Sequence, residues 1–261
     1  MLLRELKVNL KSFIAWLIIS IIIFLVVFLV YPSIVNGEEM ASLNEMMQMF
    51  PPELLKAFNM DISSIDTAFG WLKTEGFVFV LLITGCYAGI IGSNIILKEE
   101  SEHTIEYLAT LPITRTKIVI DKALIGLFYV VSLILGIALF NLIGLALSGD
   151  FNFKQYLLLS ITPLFSSIFI YFLCLFVSTF MKKKMLGVSL GIVIVSYLLN
   201  TISSISKEVE FLKYFSVFTL ADIRNVIIKE AINPIMIIIT LLCSGLFFGI
   251  TIYRYNKKEL V

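Results

Sequence analysis

Three glutamates, Glu99, Glu102 and Glu106, recur at i, i+3 and i+7 in the polar run that separates two apolar stretches near the middle of the chain. On a helix that spacing gathers the carboxylates on one face. Ile105 and Leu108, with Ala109 or Leu111, make a neighbouring apolar face. Pro112 then stops the helix, and Thr114 can cap the next one. A short helix with an acidic face and an apolar face, fixed to a membrane helix, suits docking on a soluble partner. A solvated juxtamembrane helix would carry the same pattern. Catalysis fits less well. His103 is the only histidine. No nucleophile and base, and no paired carboxylates, stand with it at membrane depth, as a membrane protease or lipid transferase would need. No ligand set for a metal accompanies it.

The elements around this run belong to a membrane. Of 261 residues, 59% are hydrophobic and 15% charged, and the mean hydropathy is +0.99. Soluble domains are about 45–50% apolar and about 25% charged. The apolar residues lie in runs long enough to cross a hydrocarbon core, which takes roughly 20 residues. Six spans are expected, at about 13–35, 76–97, 120–147, 156–181, 185–206 and 233–253. Lys182, Lys183 and Lys184 separate the fourth from the fifth as a tight interfacial turn, because three lysines cannot sit in hydrocarbon. The first apolar run is too long for a cleavable signal and reads as a span that stays.

Charge sets the orientation. The side shared by both termini carries 13 of the 20 basic residues: Arg4, Lys7, Lys11, Lys98, Arg115, Lys117, Lys122, Lys182 to Lys184, Arg254, Lys257 and Lys258. Segment 36–75 has seven acidic and two basic residues. The positive-inside rule then places both termini in the cytoplasm and 36–75 outside. That segment is amphipathic through Met46, Met47, Met49, Phe50, Leu54, Leu55 and Phe58, and is interrupted by Pro51 and Pro52. Two short helices on the outer surface are expected, as a gate, a lid or a packing cap. Segment 207–232 reads as a short helix or re-entrant hairpin on the same side. Leu2, Leu3, Leu6, Leu10 and Phe13 recur at helical spacing beside Arg4, Lys7 and Lys11, the pattern of an interfacial amphipathic helix.

Several classes are excluded or disfavoured. The net charge of +1 gives no footing for nucleic acid. Cys86, Cys174 and Cys243 lie in apolar runs without metal or disulfide spacing. No G-x-x-x-x-G-K-[ST] phosphate loop occurs. The spans are read as free of charge, with Asp121 and Lys122 at a span end near the membrane surface, which disfavours a proton relay. Ser196, Asn200, Asn141 and Thr162, the few polar groups in the spans, are expected to bond neighbouring helices. Gly85 and Gly89, followed by Gly92, and Gly187 with Gly191, are G-x-x-x-G pairs of the kind that let helices approach closely, although glycine is also simply common in membrane helices.

The run Glu99-Glu100-Ser101-Glu102-His103-Thr104-Ile105-Glu106-Tyr107-Leu108-Ala109-Thr110-Leu111-Pro112-Ile113-Thr114-Arg115, with Lys117 and Lys122 after it, resembles the signature of ABC-2 type transporter permeases. Thr104, Glu106, Leu108, Pro112, Ile113, Thr114 and Arg115 match, while His103 stands where glycine is usual. The opening Glu5-Leu6-Lys7-Val8-Asn9-Leu10-Lys11-Ser12 is similar to that family's N-terminal interfacial helix. The resemblance implies an all-α membrane protein forming one permease domain. It implies a coupling helix at 103–111 that sits in a groove of a separate ATPase subunit. Glu99, Glu102, His103, Thr104, Glu106, Leu108, Pro112 and Arg115 would be the coupling residues. Two ATPases, which bind the ATP and Mg, would work with two permeases, a second copy of this chain or a paralogue. Gly85, Gly89, Gly92, Gly187 and Gly191 would then line the pathway at the permease interface. The chain itself would bind no cofactor and hydrolyse nothing. Greasy spans suit export of an amphipathic cargo, a peptide toxin or antimicrobial peptide foremost, from a bacterial plasma membrane. Drug, lipid or sodium efflux, and a non-transporting anchor or sensor bound to an ATPase, are the alternatives.

Overall fold

The computed structural model describes residues 2–35, 49–50, 67–102, 113–149, 151–184, 186–221, 226 and 230–258. Six helices in it are long and apolar enough to cross a membrane. They are α1 (Leu2–Val35), α2 (Ala68–Ser101), α3 (Arg115–Ser148), α4 (Phe153–Ser178), α5 (Leu186–Ser203) and α6 (Pro234–Lys257). No strand occurs among the described residues.

Local chemistry sets several of the ends. Thr114 accepts from the Lys117 amide at the start of α3, and Asn152 accepts from the Gln155 amide at the start of α4. Asn233 caps α6, with Pro234 as its first residue, where a missing N–H costs nothing. α2 begins earlier than the apolar run suggests. Thr67 caps a first α turn, Ala68–Trp71, and a π turn, Leu72–Gly76, leads into the long α segment Phe77–Ser101. Residues 68–75 are therefore part of the helix and not of a surface segment. The Thr74 hydroxyl donates to the Gly70 and Trp71 carbonyls beside the π turn, and the Trp71 indole donates to the Val27 carbonyl of α1. α1 runs unbroken from Leu2, so the amphipathic opening continues the first span instead of lying apart from it.

α2 is the axis of the bundle. In its most apolar window 72% of residues are buried, against 11% for α1 and 22% for α5 and α6. It packs along α4, with α3 and α5 also against it, while α6 lies on α4 and α1 on α3. Tyr171 of α4 fixes the α2–α4–α3 contact. Its hydroxyl donates to the Ala123 carbonyl of α3 at 3.0 Å. A Cβ on Gly92 would fall 2.5 Å from the Tyr171 carbonyl oxygen, and one on Gly126 would fall 2.3 Å from the Tyr171 hydroxyl. Only glycine lets the helices close around this side chain.

Polar side chains in the spans mostly bond their own helix. Thr84 donates to Val80, Thr162 to Leu159 and Thr251 to Phe247. Between helices, the Ser189 hydroxyl of α5 donates to that of Ser93 of α2 at 2.7 Å. The expectation that Thr162 bonds a neighbouring helix is thus corrected. Ser196 and Asn200 contribute backbone carbonyls, to Ser216 and to Ser203 and Ser204. The Asn141 Oδ1 is buried without a partner among the described residues.

After α5 come two 3-10 segments, Lys207–Phe215 and Val217–Ala221. The second turns back into the bundle: Phe218 is buried and lies within reach of Gly85, Val193 and Tyr197. Most of segment 36–66 and residues 222–225 and 227–229 lie outside the described residues.

Candidate functional site

Glu5 near the start of α1 lies beside Lys122, which bonds Glu99 in the last turn of α2, and Lys258 just past α6 bonds Glu100 of that turn. The two chain termini therefore share one end of the bundle, called basal here, and the opposite end is distal.

At the basal end Glu99 is in the final turn of α2, and Lys122 is two turns into α3. The antiparallel hairpin that α2 and α3 form brings them face to face. The Lys122 Nζ donates to Glu99 Oε1 and Oε2, both at 2.7 Å, and to the Ile95 carbonyl at 2.7 Å. Those acceptors take up the three protons of an ammonium. Glu5 Oε1 lies 3.5 Å from the same nitrogen. Lys122 is 1% exposed, Glu5 3% and Glu99 4%. Two carboxylates thus share one buried cation. Glu5 Oε2 has no partner among the described residues. The Tyr129 hydroxyl donates to the Leu6 carbonyl at 2.5 Å and its ring packs on Phe13, which pins α1 to α3 beside the cluster.

The next glutamates of α2 reach other elements. Glu100 Oε2 accepts from the Lys258 Nζ at 2.7 Å, and that amine also donates to the Met181 carbonyl after α4 at 2.7 Å. Glu102, which caps α2, accepts from Lys184 in the turn before α5 at 2.9 Å. That hydrogen bond holds the Glu102 carboxyl below its ordinary range. Arg115 opens α3 and donates to the carbonyls of Lys258 and Asn256, at 2.8 and 3.3 Å, while Asn256 donates to Thr116. The last turn of α2 is in this way joined to α1, α3, the α4–α5 turn and the end of α6. Residues 103–112 follow at once.

The expected coupling residues divide. Glu99 faces into the bundle on Lys122 and does not share an outer face with Glu102. α2 ends at Ser101, and Glu102 is its C-cap at φ −96°, ψ 5°. Arg115 is turned to the end of α6. Glu102 is half exposed. His103, Thr104, Glu106, Leu108 and Pro112, with the helix expected over 103–111, lie outside the described residues. Among the glycines, Gly85, Gly89 and Gly92 meet α4, α5 and Phe218 inside the chain, whereas Gly187 and Gly191 have nothing within 4 Å among the described residues. Lys122 is buried inside the bundle, and Glu5, Glu100 and Lys258 had no role assigned. A signal for Lys122 was present: it sits at helical spacing between Ile118, Gly126 and Tyr129, on the stripe of α3 that is buried. Among the described residues no group of three or more His, Cys, Asp or Glu is gathered as a metal site.

The charged base of this helical hairpin is tied to α1, to the α4–α5 turn and to the end of α6. The chain matches the family described as ABC-2 family transporter protein over residues 1–260. It belongs to that family. No curated protein and no solved structure matches it. As a member it is a multi-pass transmembrane permease subunit of all-α architecture. The permease carries no phosphate loop of its own.

Proposed function

We propose that this permease exports a hydrophobic or amphipathic substrate and is driven by a separate ABC ATPase. Two ATPase copies would bind ATP and Mg, and two permeases would form the pathway. The basal end is the cytoplasmic one on this reading, because it carries 13 of the 20 basic residues. The ATPase docks on 103–111, with Glu106 facing it. One observation carries the reading: the turn of α2 that leads into this loop is bonded, through Glu99, Glu100 and Glu102, to partners on all sides of the bundle. A push on the loop is then delivered to the whole bundle and not absorbed by one helix. The exposed flanks of α5, with Gly187 and Gly191 bare, fit a second permease. An amphipathic peptide is the favoured cargo, since the interior is apolar and its polar side chains largely bond their own helices.

The test is Glu106→Arg in a co-expressed complex with the ATPase encoded nearest the permease. ATP hydrolysis and cargo accumulation in inverted vesicles should both fall at least tenfold while membrane insertion is retained. Unchanged complex formation and activity would refute the docking assignment. ATP hydrolysis without cargo flux in the wild type would favour the anchor or sensor reading.

A further inference from the structure

Between Val80 and Leu97 of α2, every residue is buried except Leu82, Cys86, Ile90 and Asn94, which recur at every fourth position. Phe79, 42% exposed, and the half-buried Glu75 carry the same stripe to the distal end. Residues three and four apart share a helix face. One face of the axial helix is therefore left uncovered by the described residues along its length. Packing sets its two borders. On one side a Cβ on Gly85 would lie 3.3 Å from Val193, and one on Gly89 would lie 3.3 Å from Ser189, both of α5. On the other side Tyr87 packs on Trp16, and the Trp71 indole donates to the Val27 carbonyl, both of α1. From Glu75 to Asn94 is 19 residues, about 28 Å at 1.5 Å per residue. That is close to the roughly 30 Å of a hydrocarbon core.

The chemistry of the stripe names what it can hold. Phe79, Leu82, Cys86 and Ile90 make its middle apolar. Glu75 is its one carboxylate, and it sits in the π turn Leu72–Gly76, a geometry frequent at functional sites. Lys73 of the same turn lies over the Phe69 ring and lines the space between α2, α3 and α4. Glu75, two residues on, comes out on the opposite side. No lysine or arginine among the described residues pairs with it. Lys98, the next step basally beyond Asn94, has Glu102 beside it instead. A half-buried carboxylate on a spanning helix is costly without a cation. An occupant that brings an ammonium or guanidinium to Glu75 supplies one, as a charge-assisted hydrogen bond. The apolar steps below Glu75 call for an apolar face on the same molecule.

We propose that this stripe is a cargo-contacting wall of the permease and that Glu75 selects cationic amphipathic cargo at its distal end. The apolar face of the cargo lies over Phe79, Leu82 and Ile90, and its cation meets the Glu75 carboxylate. The proposal rests on the export reading above, in which a second permease packs on α5 and leaves the stripe facing the pathway. It adds the sign of the cargo's charge and the residue that reads it.

Binding is measured without the ATPase, on the purified permease in phosphatidylcholine nanodiscs, with empty nanodiscs as the blank. The probes are fluorescent amphipathic peptides of one length, leucine–lysine, leucine–glutamine and leucine–glutamate. The wild type should hold leucine–lysine about tenfold more tightly than leucine–glutamine, and leucine–glutamate least. Glu75→Gln should abolish that preference, and Glu75→Asp should keep most of it. Lys73→Gln, on the far side of the same turn, should leave it unchanged. A leucine–lysine peptide carrying a benzophenone should crosslink to the segment 79–90. Equal binding of the three peptides by the wild type would overturn the proposal. So would an undiminished preference in Glu75→Gln at an unaltered melting temperature. Crosslinks that fall only outside 79–90 would also overturn it, as when a second copy or another part of the chain closes the stripe. The export reading fails separately. Selective binding without ATP-driven flux in the coupled vesicles would refute export and leave the cation site standing, whereas equal flux of all three peptides would keep export and overturn the selection.

Discussion

The Lys122 Nζ stands 2.7 Å from both carboxylate oxygens of Glu99, with a second carboxyl, that of Glu5, at 3.5 Å. All three residues are almost wholly buried. In a buried pair the attraction roughly offsets the loss of hydration, but removal of one partner leaves the other charge uncompensated. Lys122→Met should therefore lower stability by about 3–5 kcal/mol. Glu99→Leu should cost a comparable amount. The double variant should cost less than the two together, because the Lys122–Glu99 contact is then lost once and not twice, although Glu5 still loses its cation. Thermal or denaturant unfolding of the purified permease measures this, and additive losses would show that the pair is not coupled.

Glycines on α2 and α5 should answer differently to the same change. In Gly92→Ala the new methyl meets the Tyr171 carbonyl oxygen at 2.5 Å, a backbone atom that cannot step aside. The α2–α4 contact must open, at a cost on the order of 1–3 kcal/mol. Gly187→Ala and Gly191→Ala meet nothing within 4 Å among the described residues. In the monomer they should be neutral or slightly stabilising, since alanine is the better helix former. If a second permease packs there, disulfide crosslinking between copies through cysteines on α5 should weaken in those two variants while the melting temperature holds. Loss of monomer stability in Gly187→Ala would contradict the open face.

At the distal end a clasp formed by Glu230 should respond to pH. Glu230 accepts from Lys154 at 2.8 Å and from Gln155 at 3.2 Å, joining the start of α4 to the turn before α6. The Lys154 hydrogen bond, then that of Gln155, hold the Glu230 carboxyl below its ordinary value of 4.5. A carboxyl lowered in the folded state favours folding above that ordinary value, and the contribution is lost as pH falls through the lowered value. Between pH 5 and 8 the clasp should stay closed. Acidification below the ordinary carboxylate range should open it. A spin-label pair on α4 and the turn before α6 should report a distance that is flat above pH 5 and lengthens below it. Glu230→Gln should show no such step.

The apolar runs were enough to reveal the six spans, because a helix that must cross hydrocarbon satisfies its backbone internally and shows this as length and composition. Charge asymmetry and the 99–115 run were legible for the same reason: they depend on residue types close together in the chain. Lys122 and Glu99 were not legible as a pair. They are 23 residues apart, and each alone reads as a charge at a span end. Their burial follows from how α2 turns against α3. The start of α2 at Ala68 was missed because Lys73 and Glu75 look like loop residues until a π turn carries them into the helix.

What the sequence determined by itself was the membrane class, the number of spans and the location of the loop expected to meet a partner. Those properties are sums over local residues. What only the tertiary structure decided was the use of each charged and small side chain. Helix rotation put Glu99 inside and Glu102 outside, although they are one turn apart. It set Gly92 against Tyr171 and left Gly187 bare. It also enclosed Asn141 in a cavity with Lys73. Rotation about a helix axis is set by packing against every neighbour at once, so no stretch of a single helix encodes it.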